Sequence, residues 1–80
     1  MTEADVDAEL TAIFRRALKT PDIVLKREME TGAHPGWDSI ANVEILISCE
    51  ERWGFEFDAH EIDGIRTYGN LVDAILSHVG

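Results

Sequence analysis

The sequence contains a single cysteine among 80 residues. One thiol cannot close an internal disulfide, and no Cys/His spacing resembles a zinc site, so neither staple nor metal is expected. Long apolar runs are missing too. None approaches the roughly 20 residues that span a bilayer, which excludes a transmembrane helix. Basic residues are scarce: seven Lys and Arg stand against 16 Asp and Glu, a formal net charge of −9. Such a chain repels phosphate backbones, so DNA and RNA are not expected partners and basic protein surfaces are. Met1 to Leu10 alternate acidic and apolar side chains. They lack the basic-then-apolar order of a signal peptide and the arginine-rich order of a transit peptide, so the expected location is the cytoplasm.

Hydrophobic residues nevertheless make up 45% of the chain, which suits a packed globule rather than a disordered tail. The length suits one domain over residues 1–80, expected as a monomer. A domain of this size buries only about 60% of its unfolded surface. That leaves little room for a buried multi-residue active site, so a binding or carrier module is favoured over an enzyme.

The periodicity predicts an all-α fold: a small bundle of three long helices and one short one. In the first, about Glu3 to Leu18, the residues Val6, Leu10, Ile13, Phe14, Ala17 and Leu18 share a face. Thr2 is its candidate N-cap, and Pro21 its stop. Arg15, Arg16 and Lys19 suit its negative end. A connection from about Thr20 to Trp37 follows, long for so small a domain. Its Ile23-Val24-Leu25 triplet is expected to pin it to the core, with a short strand there lacking an evident partner. The second helix runs from about Ser39 to Trp53 with Gly54 as its stop. Asp58-x-x-Glu61 resembles a capping box for a short helix over about Ala59 to Asp63. The last helix follows Thr67 and carries Tyr68, Leu71, Val72, Ile75, Leu76 and Val79 on one face.

Charge is uneven along this plan. Residues 1–36 hold seven acids and five bases; residues 37–80 hold nine acids against Arg52 and Arg66. The second helix also has more apolar surface than one core stripe uses. Ile45, Leu46, Cys49 and Trp53 complete a core face, while Ile40, Val43 and Ile47 point elsewhere. Ile40, Glu44, Ile47 and Glu51 line up at i, i+4, i+7 and i+11. A helix edge mixing isoleucine with glutamate reads as a docking strip. The alternative is that the bundle wraps this edge and the glutamates merely solvate it.

At the head of the same helix stands Gly36-Trp37-Asp38-Ser39-Ile40. An Asp-Ser pair there is by default a cap. With Asp38 as the cap, Ser39 falls at the first helical position, its hydroxyl toward solvent, where free N–H groups and the helix dipole favour an anion. The geometry suits covalent phosphate chemistry on Ser39 without identifying it. A Ser39/His34/Asp38 hydrolase would further need a base in reach, its orienting group and an oxyanion site.

The wider pattern is more specific. Asp38-Ser39-Ile40, then Val43-Glu44-Ile45, then Glu50-Glu51-Arg52-Trp53-Gly54-Phe55-Glu56-Phe57 resembles the acyl carrier protein family, from about Trp37 to Ile75 without a gap. The resemblance implies that Ser39 receives 4′-phosphopantetheine from coenzyme A through a separate magnesium-dependent transferase. It implies acyl groups carried as thioesters on that arm, by a protein that is not itself an enzyme and holds no metal of its own. It makes Ile40, Val43, Glu44, Ile47 and Glu51 the partner-binding residues, with the glutamates meeting basic patches on the transferase and on acyl-transferring or synthase enzymes. That set coincides with the strip read from the helical wheel. The competing expectation is an unmodified acidic helical module for protein–protein interaction.

Several positions depart from the family pattern. Ala41 stands where an acid is usual and Ile40 where leucine is usual. Arg52 interrupts an acidic run, and His60 stands where an acid is common. Ile62 and Leu71 replace small alanines, which suggests an interior too full for a long acyl chain. These departures point to a dedicated partner set and to a specialised fatty-acid, polyketide or aminoacyl pathway. Cys49 reads as a buried structural residue. Trp53 is expected in the core, and Trp37 against the connection with a further option of touching the arm or a partner.

Overall fold

The computed structural model describes residues 1–79. Four helices follow in order: α1 over Glu3–Leu18, α2 over Ser39–Trp53, α3 over Ala59–Gly64 and α4 over Tyr68–Val79. The fold is all-α. Among the described residues the strand-like pairing is one isolated antiparallel bridge, Glu30 with Thr67.

Local chemistry sets the helix ends. Thr2 caps α1 by accepting from the Asp5 N–H, and the Asp5 carboxylate accepts from the Thr2 N–H, a reciprocal box. Asp58 and Glu61 do the same for α3. Thr67 Oγ1 accepts from the Asn70 N–H while Asn70 accepts from the Thr67 N–H, so α4 starts the same way. Gly54 ends α2 at φ +73°, a left-handed conformation that glycine adopts without strain. α1 stops earlier than Pro21 requires. Lys19 takes the left-handed conformation at φ +54° and donates its N–H to the carbonyls of Arg15 and Arg16. α3 runs one residue past the expected end, through Gly64.

α1 lies against both α2 and α4. Val6, Leu10, Ile13, Phe14 and Leu18 of α1 are buried, with Ile45 and Cys49 of α2 and Leu71, Val72 and Ile75 of α4. Phe14 sits at the centre, edge-on to Trp37 at 4.9 Å and to Tyr68 at 5.5 Å between ring centroids. Such pairs add about 0.5–1.5 kcal/mol each beyond simple burial. The expected core stripe of α2 is narrower than its wheel implies. Leu46 and Trp53 are only partly buried, and Trp53 lies at the rim under the Arg52 guanidinium. Trp37 and Ala41 fill the core at the head of the helix instead.

The long connection is fastened by backbone groups rather than by a strand. Arg15 donates from Nε and from its terminal nitrogen to the Ile23 carbonyl, each at 3.2 Å, and Ile23 is buried. Further on, Tyr68 and Gly69 donate their N–H groups to the Met29 and Arg27 carbonyls at 2.7 and 3.0 Å. Gly69 makes a close approach at this crossing: a Cβ there would stand 3.0 Å from the Arg27 carbonyl oxygen, tighter than ordinary contact.

Candidate functional site

A run of turns delivers the chain to the head of α2. Ala33 donates to the Glu30 carbonyl, Trp37 to that of His34, and Gly32 back to that of Trp37, all within 2.8–2.9 Å. Trp37 is then locked. It is 3% exposed, and its indole N–H donates to Asn42 Oδ1 at 3.1 Å, one turn into the helix. The option that Trp37 touches an arm or a partner is therefore corrected: its ring is spent on the core. Asp38 next accepts from the Ala41 N–H at 2.8 Å and caps the helix. Ser39 follows as the first helical residue and is exposed.

This arrangement leaves Ser39 unencumbered. Among the described residues its hydroxyl makes no hydrogen bond, and neither do the N–H groups of Ser39 and Ile40. These are the donors that a helix start leaves open, at the positive end of its dipole. A phosphodiester on Ser39 Oγ would meet solvent, two open N–H groups and no occluding side chain, so the residues present fit a phosphopantetheine attachment.

His34 does not supply a base for Ser39. Its Nδ1 accepts from the Gly36 N–H at 3.0 Å, and its Nε2 lies 3.3 Å from Thr20 Oγ1. Both ring nitrogens thus serve the turn, while the Asp38 carboxylate serves the cap. Among the described residues no group of three or more His, Cys, Asp or Glu side chains is placed to hold a metal. Burial pushes the Cys49 thiol up to about 12, with Glu50 adding to the effect, so it stays protonated in the core.

Beyond Ser39, α2 keeps its second apolar edge open. Ile40 is 73% exposed, Val43 55% and Ile47 48%, with Glu44 and Glu51 exposed along the same edge. The bundle does not wrap this face. At its far end Ile47, Glu50, Glu51, Gly54, Phe55 and Glu56 line an open groove of about 580 Å³. Two of the family departures look different in three dimensions. Ala41 is buried, so it fills a packing position. Leu71 is fully inside, but Ile62 is 42% exposed, so Ile62 does not fill the interior as expected. Sequence reasoning treated Arg16 only as a partner of its helix dipole. The fold sets it beside Ser48, Glu51 and Arg52 in a groove of about 280 Å³ between α1 and α2.

No family model matches the chain. Over 43 residues it is 42% identical to acyl carrier protein 2, mitochondrial, of Arabidopsis thaliana. That stretch is 54% of this chain and 34% of the plant protein, so the chain spans about a third of that curated relative. In three dimensions it is similar to the solution NMR structure of a holo acyl carrier protein from Geobacter metallireducens. The TM-score is 0.85 at 27% identity, covering 92% of this chain and 85% of that one. No described helix is long and apolar enough to cross a membrane.

Proposed function

We propose that this chain, which belongs with the acyl carrier proteins in fold and in part of its sequence, carries acyl groups as thioesters on 4′-phosphopantetheine linked to Ser39. The observation that carries this reading is the exposed Ser39 hydroxyl at the head of a helix, framed by a capping aspartate and an edge of exposed isoleucine and glutamate. When bound, the phosphopantetheine supplies a thiol at the end of a long arm. The chain's own part is to hold and present it. Asp38 fixes the first turn of α2, so that the serine oxygen has a defined direction. The open N–H groups of Ser39 and Ile40 favour the phosphate charge. The packed Trp37 keeps the approach segment rigid.

The protein acts in this reading as a carrier and not as a catalyst. Its partners are a phosphopantetheinyl transferase and enzymes that load or elongate the acyl group. Ile40, Val43 and Ile47 give them apolar contact, while Glu44 and Glu51 meet their lysines and arginines. Charge pairing of this kind acts chiefly on association rate and partner choice. The departures at Arg52, His60 and Leu71 support a specialised pathway over bulk fatty-acid synthesis.

The test is intact mass before and after incubation with coenzyme A, magnesium and a promiscuous phosphopantetheinyl transferase. Wild type gains one phosphopantetheine and Ser39→Ala gains none. A folded, unmodified wild type that gains nothing leaves the chain as an acidic interaction module.

A further inference from the structure

The α2 edge has a border of opposite charge. Glu51 lines two grooves. One holds Ile47, Glu50, Phe55 and Glu56, and its charged groups are all acidic. The other, toward α1, holds Arg16, Ser48 and Arg52. Arg52 is paired with Glu9 there, but Arg16 has no carboxylate within 4 Å among the described residues. Arg16 also opens onto a third groove of about 540 Å³ on the outer side of α1, with Ala8, Ala12, Arg15, Lys19 and Pro21. Arg15 is committed to the Ile23 carbonyl, whereas Lys19 has no ion-pair partner among the described residues. Two cations without an ion-pair partner among the described residues thus stand together, Arg16 beside Glu51 of the acidic strip and Lys19 in the groove beyond it, on a chain whose net charge is −9.

We infer that Arg16, with Lys19 beyond it, forms a basic lane that selects protein partners carrying a carboxylate next to their docking cations. This rests on the carrier reading and names the partner chemistry of that same face. Neighbouring helices lie roughly 8–10 Å apart, which sets the spacing between the lanes on α1 and α2. A uniformly basic docking patch meets attraction at Glu44 and Glu51 and repulsion at Arg16. A patch with an Asp or Glu at that spacing meets attraction at both. Two cations do not offset the surrounding acids for an extended anion, so a nucleic acid or an anionic bilayer is repelled overall. A single protein carboxylate placed opposite Arg16 is not.

The experiment uses the full chain and the rate of phosphopantetheine transfer by a transferase with a basic docking patch, at low and high salt. Arg16→Glu and Arg16→Gln are compared with Lys26→Glu, which makes the same charge change as the first but lies in the groove lined by α1 and α4 residues, with Glu3 and Tyr68. The expected result at low salt is a kcat/KM raised about three- to tenfold by Arg16→Glu, less by Arg16→Gln, and least by Lys26→Glu. The gain fades at about 1 M salt, where screening is nearly complete over a few ångströms. A glutamate scan across the transferase patch supplies the attractive arm. At one position the Glu variant is faster with wild-type carrier and slower with Arg16→Glu. Equal effects of Arg16→Glu and Lys26→Glu make net charge the cause and overturn the inference, as does a scan without a coupled position. A wild type that is not loaded at all overturns the carrier reading instead.

Discussion

α2 and α4 are both apolar helices, but they use their aliphatic side chains differently. α4 buries Leu71, Val72 and Ile75 and leaves mainly Asn70, Asp73, Ser77 and His78 outside. α2 buries Ala41, Ile45 and Cys49 and leaves Ile40, Val43 and Ile47 in solvent. Exposed isoleucine contributes little to the stability of an isolated chain. The contrast therefore separates surface that holds the fold from surface that is free to meet a partner.

Truncation in the core and at the edge sharpens that contrast most. Ile75→Ala or Ile45→Ala removes a fully buried side chain and is expected to cost about 2–5 kcal/mol in urea unfolding. Ile40→Ala at the open edge is expected to change stability by less than about 0.5 kcal/mol. Comparable losses at both places would mean that the edge is packed in solution.

Alkaline unfolding probes the buried side of α2. The Cys49 thiol rises from 9.0 to about 12, and burial with hydrogen bonding to Asp7 also raises Tyr68 above its ordinary 10.0. The unfolded chain ionises first in each case. The contribution from Cys49 is complete below pH 9 and is lost as pH climbs toward about 12, at up to about 1.4 kcal/mol per pH unit. In Cys49→Ala the alkaline fall in unfolding free energy is expected to start nearer pH 10, where Tyr68 alone remains. An unchanged profile would place the thiol in water.

The cap at the head of α2 matters less than the core and more than the open edge. Asp38→Ala removes the acceptor for the Ala41 N–H and is expected to cost about 1 kcal/mol, while Asp38→Asn retains most of it. Thermal unfolding reads this directly.

Much of this was legible in the sequence. Apolar spacing gave α1, α2 and α4, because each buries one face, and the Asp58–Glu61 box gave α3, which buries no residue fully; Thr2, Asp38 and Gly54 announced helix ends through chemistry that acts within a turn. The Ile40–Glu51 edge was legible for the same reason. Longer reach was not. Trp37 reads as a loop residue until Phe14 and Asn42 are brought to it. Ile62 reads as interior although α3 turns it outward. The order of the connection depends on Arg15 donating to the Ile23 carbonyl and on the Met29 and Arg27 carbonyls accepting from the Tyr68 and Gly69 N–H groups, backbone partners that carry no sequence signal. Arg16 entered the site only when α1 packed beside α2.

One measurement tests the division of labour on α2 most directly. Ile47→Ala is assayed both for its urea midpoint and for kcat/KM of phosphopantetheine transfer to Ser39. The expected result is a midpoint close to that of wild type with loading slowed about tenfold, the loss of roughly 1.4 kcal/mol expected when an apolar docking contact is truncated. A midpoint lowered as far as in the core variants, with loading unchanged, would contradict it.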